Sequence, residues 1–315
     1  MTTVEAPASS KPHPRPRPVS TTPPTGPRAR QRQRPEPFTV ASYAGVIAFA
    51  LVCVIPFWMV VAGSFTAEST LSKSGYSFWP DPFSLDAYTT IFAGSRVWLS
   101  YGATIFITVV GTVIAVIATS GIAWVIARGR PLVSRPLAVF AYIPMLFTGG
   151  LVPMYILITQ VLQLRDSWFA VILPMAIAPF LVFVQVSFFR ATPQEILDAA
   201  RIDGAGELRI FFQVVLPLSK PVIAVIALFY AVAFWNEWFH ALLFISEPAR
   251  YPLQLVLQNL ITSVANAADL GTVSAAPVYQ MRLAMTVITI GPILLAYPFA
   301  QRYFVKGLTL GATKG

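Results

Sequence analysis

Residues able to do chemistry are few and unevenly placed. Only His13 and His240 could supply an imidazole, and Cys53 is the single thiol. That excludes an intramolecular disulfide, a cysteine-based metal centre and a histidine-rich one. A catalytic site needs clustered carboxylates, histidines or a nucleophile–base pair, and the pattern offers none. What stands out is a polar cluster inside an apolar run: Trp235, Asn236, Glu237, Trp238 and His240. Read as one helix, it puts Asn236 and His240 on a shared face at i, i+4, with Glu237 and His240 adjoining at i, i+3. A charge at the centre of a membrane helix costs about 2.5–3.5 kcal/mol on insertion scales, so the cluster needs a reason. Two stay open: contact with a polar solute in a cavity, or hydrogen bonding and interfacial anchoring among helices.

A second concentration of polar residues lies at RATPQEILDAARIDGAGELRIFFQVVLPLSKP, Arg190 to Pro221. Thr192, Pro193 and Glu195 read as a helix start, with Thr as N-cap, Pro at N1 and Glu at N3. That helix runs to about Ile202. Asp203-Gly204 reads as a turn, because glycine accepts positive φ without steric cost. A second helix begins near Ala205, carries Leu208, Phe211, Phe212 and Val215 at helical spacing, and ends at Pro217 and Pro221. Its charges balance: Arg190, Arg201, Arg209 and Lys220 against Glu195, Asp198, Asp203 and Glu207. Such a knob, with small residues at Ala199, Ala200, Gly204 and Ala205, suits docking into a partner's groove.

The elements that position these residues are membrane helices. The chain has 315 residues, 56% hydrophobic and 11% charged, where soluble domains carry about 25% charged residues. Mean hydropathy is +0.68. Crossing the ~30 Å hydrocarbon layer takes about 20 apolar residues, and six stretches qualify: 40–64, 99–127, 136–160 (interrupted by PMLFTGGLVP), 168–189, 222–244 and 281–300. The expected class is an all-α integral membrane protein with six transmembrane helices.

The net charge of +9 falls where a membrane protein wants it. Residues 1–37, rich in Pro and Arg, read as a disordered basic tail beside anionic lipid and not as a nucleic-acid arm. Segments 128–135 and 301–315 hold Arg128, Arg130, Arg135, Arg302, Lys306 and Lys314 without an acid. The alternate loops are near neutral or acidic, with Glu68, Asp81, Asp86, Asp166, Glu247 and Asp269 among them. The positive-inside rule puts both termini in the cytoplasm, in agreement with an even number of spans.

The loop resembles a known motif. DAARIDGAGELRIFFQVVLP is similar to the EAA motif of binding-protein-dependent ABC importer permeases: E-A-A, three residues, G, nine residues, I, any residue, L-P. The pattern falls on Asp198, Ala199, Ala200, Gly204, Val214, Leu216 and Pro217, with spacing kept in full. Asp198 replaces glutamate, shortening the carboxylate's reach by one methylene, and Val214 replaces isoleucine. MLFTGGLVPMY, AFWNEWFHALLF and the tail QRYFVKGLTLGATKG resemble the carbohydrate branch, nearest the oligosaccharide and aldouronate permeases.

The resemblance implies a type I importer permease fold over 96–300, following a first helix and outer loop at 38–95 and preceding a cytoplasmic tail at 301–315. It implies a plasma-membrane complex with a second, similar permease, two ATPase subunits and an extracytoplasmic sugar-binding protein, and no cofactor. The loop, 190–221, would receive the ATPase through Asp198, Ala199, Ala200, Asp203, Gly204, Ala205, Leu216 and Pro217. The pathway residues would be Trp235, Asn236, Glu237 and His240, since rings stack on sugars and amides or carboxylates bond hydroxyls. With no G-x-x-x-x-G-K-[ST] phosphate loop in the chain, ATP hydrolysis falls to partners.

Two other classes fit less well. A self-sufficient secondary transporter usually shows inverted repeats and buried ionisable groups; no repeat is visible, and the spans hold only Glu237, His240 and Arg282. A membrane enzyme lacks its catalytic cluster.

Overall fold

The computed structural model describes residues 37–93, 95–269, 277–292 and 294. The basic tail and residues 301–315 lie outside them. The chain divides into two compact units, Met1–Val52 and Cys53–Gly315. In the first, the described residues form the opening turns of α1 (Pro37–Ser64). This helix has 28 residues, about 42 Å at 1.5 Å per residue, and no charged residue from Ala41 to Ser64.

The second unit continues with α2 (Glu68–Ser74), α3 (Asp86–Ala93), α4 (Arg96–Arg128), α5 (Pro131–Leu146), α6 (Leu151–Ile156), α7 (Trp168–Met175) and α8 (Pro179–Arg190). Then come α9 (Gln194–Ile202), α10 (Glu207–Ile210), α11 (Leu216–Leu218), α12 (Lys220–Trp235), α13 (Phe239–Phe244), α14 (Leu253–Asp269) and a last helix, 278–292. Two π-helical turns, Leu157–Val161 and Phe211–Val215, extend α6 and α10. The described residues form no sheet, only an isolated bridge between Thr66 and Phe83.

Helix α4 is the axis of this unit, packing mainly against α12 and α8. Its buried stripe repeats every fourth residue: Ala103, Ile107, Gly111, Ala115, Thr119 and Ala123. Small residues at this spacing let membrane helices approach closely, where apolar burial alone gives no preference over lipid. Gly111 is one such close approach. A Cβ there would lie 2.9 Å from the Phe234 ring of α12.

Among the described residues, α1 and α4 alone are long and apolar enough to cross a membrane unaided. Three bent pairs reach that length together: α5 with α6 and its π turn (117°), α7 with α8 (52°), and α10–α11 with α12 (82°). The expected sixth span, 281–300, runs past the described residues. The third, 136–160, breaks at Phe147–Gly150, inside the interruption expected there.

Breaks inside a membrane protein need their backbone groups bonded by protein, and the structure shows how. Between α7 and α8, the free Ala178 N–H donates to the Tyr230 hydroxyl (2.8 Å), itself 2.7 Å from Thr119 Oγ1. The expected fifth span, 222–244, also breaks, at Asn236–Trp238. Asn236 Nδ2 donates to Val232 O (2.8 Å), closing the end of α12. Glu237 Oε1 accepts from His240 N (2.7 Å), capping α13. These polar side chains compete with the helix for its own backbone groups. The i, i+4 face drawn for Asn236 and His240 is therefore corrected.

Candidate coupling surface and solute pathway

Helix α9 starts at Gln194 with Pro193 as its N-cap, and no side chain caps it. The expected Thr192 cap is absent; Thr192 instead offers its carbonyl to Arg128 Nη2 (2.7 Å). The turn after α9 forms as expected. Gly204 has φ +78°; its N–H bonds Arg201 O and the Ala205 N–H bonds Ala200 O, both at 3.0 Å. This is a Schellman ending, which requires a left-handed residue at that position. The glycine of the motif is thus explained by backbone conformation. A Cβ on Gly204 would meet nothing within 4 Å, so the constraint is torsional and the surface there is open.

The second loop helix differs from expectation. It starts at Glu207, two residues later than read, and Pro217 does not stop it. The chain turns only at Ser219, by 82°, and Pro221 opens α12. The π turn at Phe211–Val215 adds a residue to the helical repeat, and the apolar set splits between two faces. Ile210, Phe211 and Val215 are buried with Leu197 of α9 against Trp124, Val182, Val186 and Phe189. Leu208 and Phe212 point outward, 75% and 61% exposed, alongside Ile202 at 86%.

Around this apolar knob lie the motif residues. Asp198, Ala199, Asp203, Gly204 and Pro217 are exposed, while Ala200, Ala205 and Leu216 are half-buried. Asp198 Oδ1 accepts from Arg201 Nη1 (3.0 Å) and from Gln194 Nε2 (3.1 Å). Arg201 also pairs with Glu207 at 3.0 Å. Sequence reasoning took Arg128 only as a basic marker of sidedness. The structure turns it into the loop's tether to α4, with Nη1 donating to Gln194 Oε1 (2.8 Å). A cation near a helix C-terminus was a visible signal, but which helix it would serve depends on tertiary packing.

The second candidate group is brought together in part. Phe234 packs on Gly111, midway along α4, so the break at Asn236–Trp238 lies near half the height of that helix. Trp235 is buried and donates its indole N–H to Thr289 O (3.1 Å) of the last helix. Asn236 is exposed, and its Oδ1 accepts from Gln254 Nε2 (3.1 Å). Glu237 and His240 form a half-buried pair, Oε1 to Nδ1 3.1 Å, with the imidazole stacked on Phe244. The break thus gathers polar side chains near half the height of α4, where two of them hold the backbone groups it opens.

Toward the N-terminal end of α4, carboxylates do structural work that sequence reasoning missed. Asp166 Oδ1 accepts from the Ser246 and Glu247 amides (2.5 and 3.2 Å), and its carbonyl takes the Arg250 guanidinium. Those amide bonds, the Ser246 one first, hold the Asp166 carboxyl below its ordinary value. Glu68 accepts from the Tyr279 and Gln280 amides (3.0 and 2.8 Å) at the start of the last helix. Beside the Asp166 clasp, Trp98, Phe106, Trp168, Phe169 and Arg250 line a cleft of about 570 Å³.

An all-helical membrane architecture with a motif-bearing loop defines a class, the importer permeases, and the comparisons agree. Residues 111–309 match the family described as binding-protein-dependent transport system inner membrane component, and the chain belongs to that family. Protein LplC of Bacillus subtilis (strain 168) is 42% identical over 271 residues, covering 84% of this chain and 90% of that protein. The polygalacturonan/rhamnogalacturonan transport system permease protein YtcP of the same organism is 39% identical, over 88% and 98%. A chain from the crystal structure of a bacterial ABC transporter involved in the import of the acidic polysaccharide alginate superposes with a TM-score of 0.74. It is 28% identical and covers 85% of this chain and 96% of its own. The chain is a membrane-embedded ABC importer permease, a transport component and not an enzyme; a self-sufficient transporter is not favoured.

Proposed function

We propose that this permease carries an oligosaccharide inward across the plasma membrane, paired with a second permease, two ATPase subunits and an extracytoplasmic sugar-binding protein. Both termini lie in the cytoplasm, six spans cross the bilayer, and the permease domain occupies 96–300 after a helix and outer loop at 38–95. The tails 1–37 and 301–315 lie on the cytoplasmic side. Acidic oligosaccharides are the first to try, because YtcP is named for polygalacturonan and rhamnogalacturonan and the solved importer for the acidic polysaccharide alginate.

The observation that carries this reading is the loop. Its Schellman turn puts Asp198, Ala199, Asp203 and Gly204 at the surface beside exposed Ile202, Leu208 and Phe212. An apolar knob rimmed by charge, held at a fixed angle to α12, fits a groove on an ATPase. ATP hydrolysis belongs to that partner. Closure of two ATPases pushes the loops and reverses which side of the cavity is open. The sugar contacts Asn236, Glu237 and His240 at the broken helix, with buried Trp235 supporting the break.

The test is purification of the tagged chain from native membranes in mild detergent, followed by uptake in proteoliposomes. Recovery of an ATPase and a second permease, with uptake of oligogalacturonate that needs ATP and a binding protein, is the expected result. Recovery of the chain alone, moving solute without ATP, would overturn it.

A further inference from the structure

We infer that Arg128 is a positioning residue that, through Gln194, ties the coupling loop to the central helix α4, so that loop and helix shift as one body. The inference rests on the loop being the ATPase dock. Arg128 is the last residue of α4. Its Nη2 donates to the carbonyls of Phe189 and Arg190 at the end of α8 and of Thr192 just beyond it, at 3.0, 3.3 and 2.7 Å. The first two are among the last four carbonyls of α8, which have no partner inside their own helix. Nη1 donates to Gln194 Oε1 at 2.8 Å, on the first residue of α9. One guanidinium therefore joins three elements, α4, α8 and α9. Its Nε–H is buried with no acceptor among the described residues, so the two terminal nitrogens alone carry the tether.

The link continues into the motif. A guanidinium only donates and a carboxylate only accepts. The Gln194 amide is therefore oriented by its two neighbours: oxygen to Arg128, nitrogen to Asp198 Oδ1 (3.1 Å). Asp198 takes Arg201 Nη1, and Arg201 reaches Glu207 Oε1 through Nε (3.3 Å) and Nη2 (3.0 Å). Five side chains thus run unbroken from the end of α4 to the first residue of α10, passing through the first position of the motif. The loop's other attachment is the apolar set Leu197, Ile210, Phe211 and Val215. Apolar contact is non-directional; it keeps the loop on the bundle without fixing its heading. The planar fork supplies the heading, and lysine, a point donor, cannot span the same acceptors.

The assembled importer in proteoliposomes tests this, reading sugar moved per ATP hydrolysed. Arg128→Ala lowers that ratio by about five-fold or more, the lower end of typical coupling factors. Arg128→Lys recovers part of it, and Gln194→Leu lowers it less than Arg128→Ala. A purely structural role would reduce the amount of complex, and with it uptake and hydrolysis in proportion, leaving the ratio intact. An assembled Arg128→Ala importer with the wild-type ratio overturns the inference. If Arg128→Ala does not assemble, the surface variant Gln194→Leu decides: a lowered ratio supports the tether and a wild-type ratio overturns it. Failure of the unmodified complex to couple uptake to ATP would instead break the dock reading itself.

Discussion

The two halves of α4 face the same problem and solve it with opposite charges. Near its C-terminal end the open backbone groups are carbonyls at the end of α8 and just beyond it, and a cation, Arg128, holds them. From half-height toward its N-terminal end, the open groups are amides at helix and loop starts, and carboxylates hold them: Glu237, Asp166 and Glu68. Both choices follow from the polarity of helix ends. The difference is in what remains at the surface. The first end shows an apolar knob suited to a protein partner. The other half keeps a half-buried acid–imidazole pair and an aromatic cleft, suited to a polar solute and its delivery.

The comparison is broken or sharpened by separating the two halves experimentally. The largest effect is expected from Leu208→Asp combined with Phe212→Asp. Both side chains are exposed, so the permease inserts normally, but capture of the ATPase falls about a hundred-fold, the scale of losing two interface anchors. Retained capture would place the dock elsewhere. Next is Gly204→Val. The left-handed turn costs a non-glycine residue about 1–2 kcal/mol, and a β-branched side chain more. Transport falls about ten-fold while the amount in the membrane holds; normal transport would count against the turn's role.

Glu237→Gln probes the other half. A glutamine oxygen still caps α13, so the fold survives while the charge is lost. The sugar concentration for half-maximal uptake rises about five-fold, within what one polar contact is worth in discrimination, with ATPase capture unchanged. A fall in capture would erase the distinction between the halves. The smallest effect belongs to the Asp166 clasp. Its carboxyl is held below the ordinary value, so its contribution is fully present above the unfolded carboxylate pKa. It is lost as pH falls through the lowered folded value. Melting of the detergent-solubilised chain tracks this fall, and Asp166→Asn flattens it. An unchanged acid limb in that variant would remove the clasp from the account.

Much of the fold was legible. Long apolar runs gave α1 and α4, and Asp203-Gly204 gave the turn, because both signals are local. The breaks were less so. Asn236 and His240 read as one helical face because side-chain capture of the backbone is invisible to periodicity. The π turn at Phe211–Val215 was not legible either, because a periodicity reading assumes a constant helical repeat. The roles of Arg128, Tyr230 and Glu68 were not legible: each bonds a group 50 or more residues away in sequence, and no spacing rule reaches that far. The candidate coupling residues were found through the motif, and the positive φ expected of its glycine is what the backbone shows.

One labelling experiment tests the division of the molecule most directly. Cys53 is the single cysteine; replaced by serine, it leaves a background in which Leu208→Cys is the only thiol. A membrane-impermeant maleimide added to intact cells should leave that thiol unlabelled. The same reagent on inverted vesicles stripped of the ATPase should label it, and restoring the ATPase should protect it. Labelling from outside, or labelling from inside that the ATPase does not reduce, would contradict the account.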